Sequence, residues 1–151
     1  MKQLVRVSKV FLMDVAHALY GYDGPCKNIH GHTYRLTVTV KGYPLDEAYH
    51  PKLGMVVDFS QIKKIVFENI LAHFDHALVL NKNSPHSTMD ELLKSEFEKI
   101  IFLEKQPTCE NLLLHFNNVL TPLIPDNLQL IYMKLEETPT SYSEWFAEDN
   151  G

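Results

Sequence analysis

His30 and His32 are separated by one residue in a stretch whose side chains alternate between apolar and polar. On an extended strand, residues i and i+2 project from one face, so these two imidazoles point the same way. A third, His17, closes an earlier stretch in which Val5, Val7, Phe11, Met13 and Val15 share its parity. If the two strands pair across the 18–29 loop, three imidazoles converge on one point. Three neutral nitrogens suit zinc and leave a fourth tetrahedral position open, the arrangement of catalytic rather than structural zinc. The alternative is three core or rim histidines bonded to backbone, and spacing alone leaves both readings open.

Other side chains with chemistry lie near this set in sequence. Cys26 precedes His30 in the same loop, where a nearby cation would lower its pKa and make thiolate available as base or nucleophile; otherwise it is a buried, inert thiol. Asp75 and His76 end a helical stretch and offer a carboxylate beside an imidazole, a common acid–base pairing, although an Asp-His dipeptide is also a frequent surface accident. Glu137 shares parity with Ile131, Met133 and Leu135 and so points inward. A buried carboxylate needs a partner, either two N–H donors on the edge of a ligand or an internal Lys or Arg. Glu110 falls in the first turn of a helix capped by Thr108, where the helix dipole favours negative charge. His50, His73, His86 and His115 show no partner pattern and read as structural or surface residues. Neither a Gly-rich phosphate loop nor G-x-S-x-G is present.

These residues must be positioned by an alternation of strands and helices. Residues 2–19 and 30–41 read as a hairpin of strands separated by the turn-rich GYDGPCKN. A loop over 42–54 leads to a helix that starts at Asp58 or Ser60 and runs to about Phe74, with Ile62, Ile65, Val66 and Ile70 as its apolar stripe. Residues 87–96 fit a short helix, and 97–103 fit helix or strand equally. Thr108 caps a second long helix carrying Leu112, Leu113, Phe116, Val119 and Leu120, stopped by Pro122 and Pro125. Residues 127–137 and 140–147 read as a closing pair of strands. The expected fold is α+β, in ββααββ order, with a four-stranded antiparallel sheet and two helices on one face. Its two open sheet edges are a liability that oligomerisation would remove.

Composition bounds the partners. The chain has 151 residues, 45% hydrophobic and 22% charged, which fits a single domain over 1–151 able to bury its own core. A formal net charge of −5 argues against coating nucleic acid. No apolar run exceeds four residues, so no membrane span is expected. Arg6 and Lys9 interrupt the first apolar stretch, unlike a signal peptide. Two cysteines, Cys26 and Cys109, suit a reduced, cytoplasmic setting better than a disulfide scaffold.

Seven short pieces, each weak alone, occur in one order: F-x5-H ending at His17, C-x3-H-G-H at 26–32, D-F at 58–59, D-H at 75–76, L-N at 80–81, P-T-C-E-N at 107–111 and E-T-P-T-S at 137–141. In this the chain resembles the 6-pyruvoyl-tetrahydropterin synthase family, which includes the bacterial 6-carboxy-5,6,7,8-tetrahydropterin synthases of queuosine biosynthesis. The resemblance implies a T-fold, and trimers formed through the sheets that stack as hexamers with active sites between subunits. It implies zinc on His17, His30 and His32, Cys26 as catalytic base, and Asp75 and His76 as proton-relay partners. Glu137 would anchor the pterin's pyrimidine edge and join the relay, with Thr108 and Glu110 as further pterin contacts.

The implied substrate is 7,8-dihydroneopterin triphosphate. One branch of the family eliminates triphosphate and keeps a pyruvoyl side chain; the other also releases acetaldehyde and leaves a carboxylate. The three-residue spacer Lys27-Asn28-Ile29 and the E-T-P-T-S piece resemble the carboxy-forming branch. From another class, the rival is a domain that binds pterin or zinc without turnover. Departures from the family's pattern are Val15-Ala16 before and Ala18 after His17, Cys109 inside P-T-x-E-N, and a long 82–106 segment; they bear on substrate range.

Overall fold

The computed structural model describes residues 1–151. Strands β1 (Val5–His17) and β2 (His30–Gly42) form the expected hairpin, paired without a slip from Val5↔Gly42 to His17↔His30. Phe11, Met13, Val15 and His17 of β1, and Tyr34, Leu36, Val38 and Val40 of β2, are buried on one face. The alternation is therefore the core pattern of a half-covered sheet. Gly31 is required here by space. A Cβ at this position would lie 3.2 Å from the Val15 carbonyl oxygen, pushing apart the strand ends that carry His17, His30 and His32.

Helix α1 (Phe59–Val66) is capped by Asp58, whose Oδ1 accepts from the Ser60 N–H at 2.8 Å. It continues through a π-helical turn (Phe67–Leu71) into a last α turn, α2 (Ala72–Phe74). The buried residues along this rod, Ile62, Val66, Ile70 and Phe74, recur every fourth position. On an α-helix that spacing drifts by about 40° per step. The wider π turn takes up the drift and keeps the stripe on one face, and the Asn69 amide donates to the Ile65 carbonyl at 2.8 Å within it. Helix α4 (Cys109–Leu120), capped by the Thr108 hydroxyl, lies beside the rod, and Leu112, Leu113, Phe116 and Leu120 join the same core cluster.

The sheet departs from expectation. It has six strands in the order β4-β3-β1-β2-β5-β6, with β3 (Ala77–Asn81), β4 (Ile100–Leu103), β5 (Gln129–Thr138) and β6 (Ser141–Phe146). Pairings β1/β2, β2/β5 and β5/β6 are antiparallel, as expected, but β1/β3 and β3/β4 are parallel. The four-stranded antiparallel sheet is thus the larger part of a mixed one. The missed strands are short and largely apolar, without a polar face, and periodicity does not separate such runs from helix. Helix α3 (Asp90–Glu96) carries the crossover between them.

Strand β5 is bulged twice, at Ile131 against β2 and at Glu137 against β6. The first bulge corrects the expected inward face: Leu130, Met133 and Leu135 are buried, while Ile131 is only partly so. No helix is long and apolar enough to cross a membrane.

Candidate metal centre and acid–base pair

The antiparallel register sets His17 directly opposite His30 and puts His32 two residues further along the same face. His32 meets His17 and His30 edge to face, while the His17 and His30 rings are tilted at 52°, with centroids 4.5–5.3 Å apart. His17 is 1% exposed. Its Nδ1 lies 2.7 Å from the Pro107 carbonyl, and the His30 Nδ1 lies 2.8 Å from that of Asn28. A carbonyl only accepts, so both Nδ1 atoms carry the proton and both Nε2 atoms present a lone pair. Those two Nε2 atoms face each other at 3.0 Å. Two lone pairs at that distance repel unless a proton or a cation lies between them.

The donor set fits zinc. Burial holds the His32 imidazole below its ordinary pKa, with the Glu137 carboxylate working in the opposite direction, and a neutral ring is what a metal takes. Its Nε2 is buried and has no hydrogen-bond partner of acceptable geometry. Backbone carbonyls on Nδ1 are the outer-shell partners that fix the tautomer of metal-binding histidines.

Glu137 faces this group rather than an internal Lys or Arg. The bulge in β5 inserts it as an extra residue, which re-aims a side chain. Its Oε1 is 2.8 Å from His32 Nε2 and 3.4 Å from His17 Nε2. The adjacent His17 imidazole holds its carboxyl below the usual range, against the opposing effect of burial. Its neighbour Glu136 points to the other face, towards Arg35 at 3.4 Å.

Asp75 and His76 do not join the histidines within this chain. Asp75 follows α2, and its Oδ1 accepts from the Asp14 N–H at 2.8 Å and lies 3.1 Å from His76 Nδ1. The His76 backbone has φ 65°, uncommon for a residue with a Cβ, and its N–H donates to the Asp14 carbonyl at 2.6 Å. Ala77 and Val79 are buried with Val15 and His17, whereas His76 is exposed and lies beside Asp14 and Thr33, whose side chains have the opposite parity to His17 and His32. There it lines a cavity of about 830 Å³ with Asp14, Thr33, Lys99 and Phe97, extending along β2 to His32. A carboxylate orienting an imidazole in this way can deliver or accept a proton.

Cys26 is half-buried in the single turn Pro25–Lys27, whose exit to His30 is tied by the Asn28 carbonyl. Thr108 spends its hydroxyl on the Asn111 N–H as the α4 cap, and Glu110 is exposed on the first turn. The second thiol, Cys109, is buried and bonded to the Leu135 carbonyl at 3.3 Å. Burial pushes its pKa up, which leaves it an inert core group.

Three contributors escape a reading of the sequence. Pro107 acts through its carbonyl, which no side-chain pattern reports. Tyr34, 1% exposed, stacks edge-on against His17 and His32. Its parity with the histidines was the available signal, but it reads as core. Lys99, from the ambiguous 97–103 stretch, donates to the Asp75 carbonyl at 2.9 Å.

Three histidines and a carboxylate gathered at one end of a mixed sheet backed by two helical rods form a group that could hold a metal ion. The chain belongs to the 6-pyruvoyl tetrahydropterin synthase family, which it matches over residues 6–148. It is 36% identical to the 6-carboxy-5,6,7,8-tetrahydropterin synthase of Haemophilus influenzae over 145 residues, covering 94% of this chain and 99% of that one. The protein of the same name from Rickettsia bellii is 30% identical over 144 residues, covering 93% and 99%. Among solved structures, the 6-pyruvoyl tetrahydropterin synthase of Caenorhabditis elegans superposes with a TM-score of 0.67 at 23% identity, covering 96% of each chain. The fold is that of the family, with six strands in place of the expected four.

Proposed function

We propose that this chain is a zinc-dependent 6-carboxy-5,6,7,8-tetrahydropterin synthase. It converts 7,8-dihydroneopterin triphosphate to the 6-carboxy product and releases acetaldehyde and triphosphate. The observation that carries the reading is the coincidence of whole-length likeness to synthases of that name with three Nε2 atoms converging on one point. His17, His30 and His32 hold the metal, and their Nδ1 bonds to backbone keep two of the rings fixed while substrate comes and goes. Zinc, when bound, supplies Lewis acidity towards the hydroxyls of the substrate side chain.

Cys26 acts as base and removes a proton from that side chain. His76, oriented by Asp75, returns one. Glu137 anchors the pterin's pyrimidine edge and takes part in the relay, and Glu110 and Thr108 are further pterin contacts, Thr108 through the backbone that its hydroxyl stiffens. His76 and the histidine cluster lie on opposite faces of one sheet, so a complete site draws Asp75 and His76 from a neighbouring subunit. A homo-oligomer, a hexamer built as a dimer of trimers, supplies that neighbour. Two free thiols and no membrane-crossing helix fit work in the cytoplasm.

Cys26→Ala separates enzyme from binding module. Turnover of 7,8-dihydroneopterin triphosphate is expected to fall by about 10²–10⁴-fold, the range for loss of a general base, with one zinc per chain retained by metal analysis. Unchanged turnover would remove Cys26 from the mechanism.

A further inference from the structure

The Glu137 carboxylate stands among the histidine nitrogens. One ligand atom from each of His17, His30, His32 and Glu137 falls within 4.8 Å of all the others. The 2.8 Å approach of Oε1 to His32 Nε2 lacks the direction an N–H bond would take, since that nitrogen finds no acceptable hydrogen-bond partner. A cation shared by the two atoms accounts for a short approach of that kind. In a tetrahedral zinc site with bonds of about 2.0–2.1 Å, ligand atoms stand about 3.3 Å apart. The separations here are 2.8 Å for His32 to Glu137, 3.0 Å for His17 to His30 and 3.4 Å for His17 to Glu137, which bracket that value.

The backbone explains why this carboxylate reaches so far. Glu137 is the extra residue of a β-bulge, while Glu136 pairs with Arg35 on the other face. Oxygen from a carboxylate is an ordinary fourth ligand beside imidazoles. We propose that Glu137 is the fourth zinc ligand of the substrate-free protein, closing the position that the substrate's side-chain hydroxyls must take. This rests on the zinc reading above. It adds to the role the resemblance implied for Glu137, because one carboxylate serves the metal before substrate arrives and the pterin's pyrimidine edge and the relay afterwards. Binding is then a ligand exchange in which one metal–oxygen bond breaks as another forms, with no change of oxidation state.

The test is zinc affinity, by competition with a chromophoric chelator, together with the visible absorption of the cobalt(II)-substituted protein. Wild type, Glu137→Gln, Glu137→Ala and His32→Ala are compared, each checked for fold by circular dichroism of the metal-free form. Both Glu137 variants are expected to bind zinc at least the roughly tenfold more weakly that losing even an outer-shell partner costs, with an altered cobalt spectrum. Gln keeps the shape of the side chain, so a folded Gln variant with the same loss assigns the effect to the carboxylate. Wild-type affinity and spectrum in both Glu137 variants, beside loss of metal in His32→Ala, would overturn the fourth ligand and leave the zinc site standing. Failure of wild type itself to take zinc would overturn both.

Discussion

At the residue scale, two different physical devices serve the site. The histidines are held by what their second nitrogen bonds to: carbonyls of Pro107 and Asn28 fix His17 and His30. His76 is held by its backbone, at φ 65° with its N–H on the Asp14 carbonyl. A left-handed backbone costs a residue with a Cβ about 1 kcal/mol or more, a cost retained where the side chain's direction matters. His76→Gly is therefore expected to match or exceed wild-type stability by about 1 kcal/mol in thermal or denaturant melts, while turnover falls as steeply as in His76→Ala. A glycine variant that is clearly less stable than the alanine one would show that no strain is held there. The histidine triad was legible because strand parity is a hard geometric rule. Pro107, which acts through a carbonyl, was not, and Tyr34 was hidden by looking like any core aromatic.

At the element scale, the long hairpin, the rod and α4 were readable from periodicity and caps. Asp58 before the stripe of Ile62, Val66 and Ile70 signalled a helix start, and the Asp58 carboxylate does cap it. Strands β3 and β4 were not readable, since five and four residues of mostly apolar sequence carry no period. Nor were the bulges, which depend on how neighbouring strands pair rather than on the bulged sequence. The cap carries a pH prediction. Hydrogen bonds from Lys52 and then from Ser60 hold the Asp58 carboxyl well below the usual aspartate range. The unfolded chain takes up that proton in the usual range while the folded chain remains ionised. The contribution is thus fully present above the ordinary value and is lost as pH falls through the folded one. Asn caps a helix about as well as Asp, so Asp58→Asn removes the charge and keeps the cap. The stability gap between wild type and this variant, followed by urea denaturation, is expected at neutral pH and should close on acidification. A gap that persists or widens in acid would contradict the assignment.

At the scale of the whole molecule, the two groups assigned to the proposed site lie on opposite faces of one sheet. Cys26 and the histidines flank the β1–β2 hairpin end, and Asp75 and His76 line the cavity behind it. The proposed assembly joins one chain's front to another's back. Mixing Cys26→Ala with His76→Ala under conditions that exchange subunits is expected to restore activity that neither variant has alone, because some interfaces then carry both intact halves. Mixed oligomers that remain inactive would place the site within one chain.

The central claim concerns the reaction itself, and product analysis tests it most directly. Zinc-loaded protein is incubated with 7,8-dihydroneopterin triphosphate, and acetaldehyde and pterins are quantified together. The account predicts 6-carboxy-5,6,7,8-tetrahydropterin and acetaldehyde in equal amounts, both dependent on zinc. A 6-pyruvoyl product formed without acetaldehyde would contradict it.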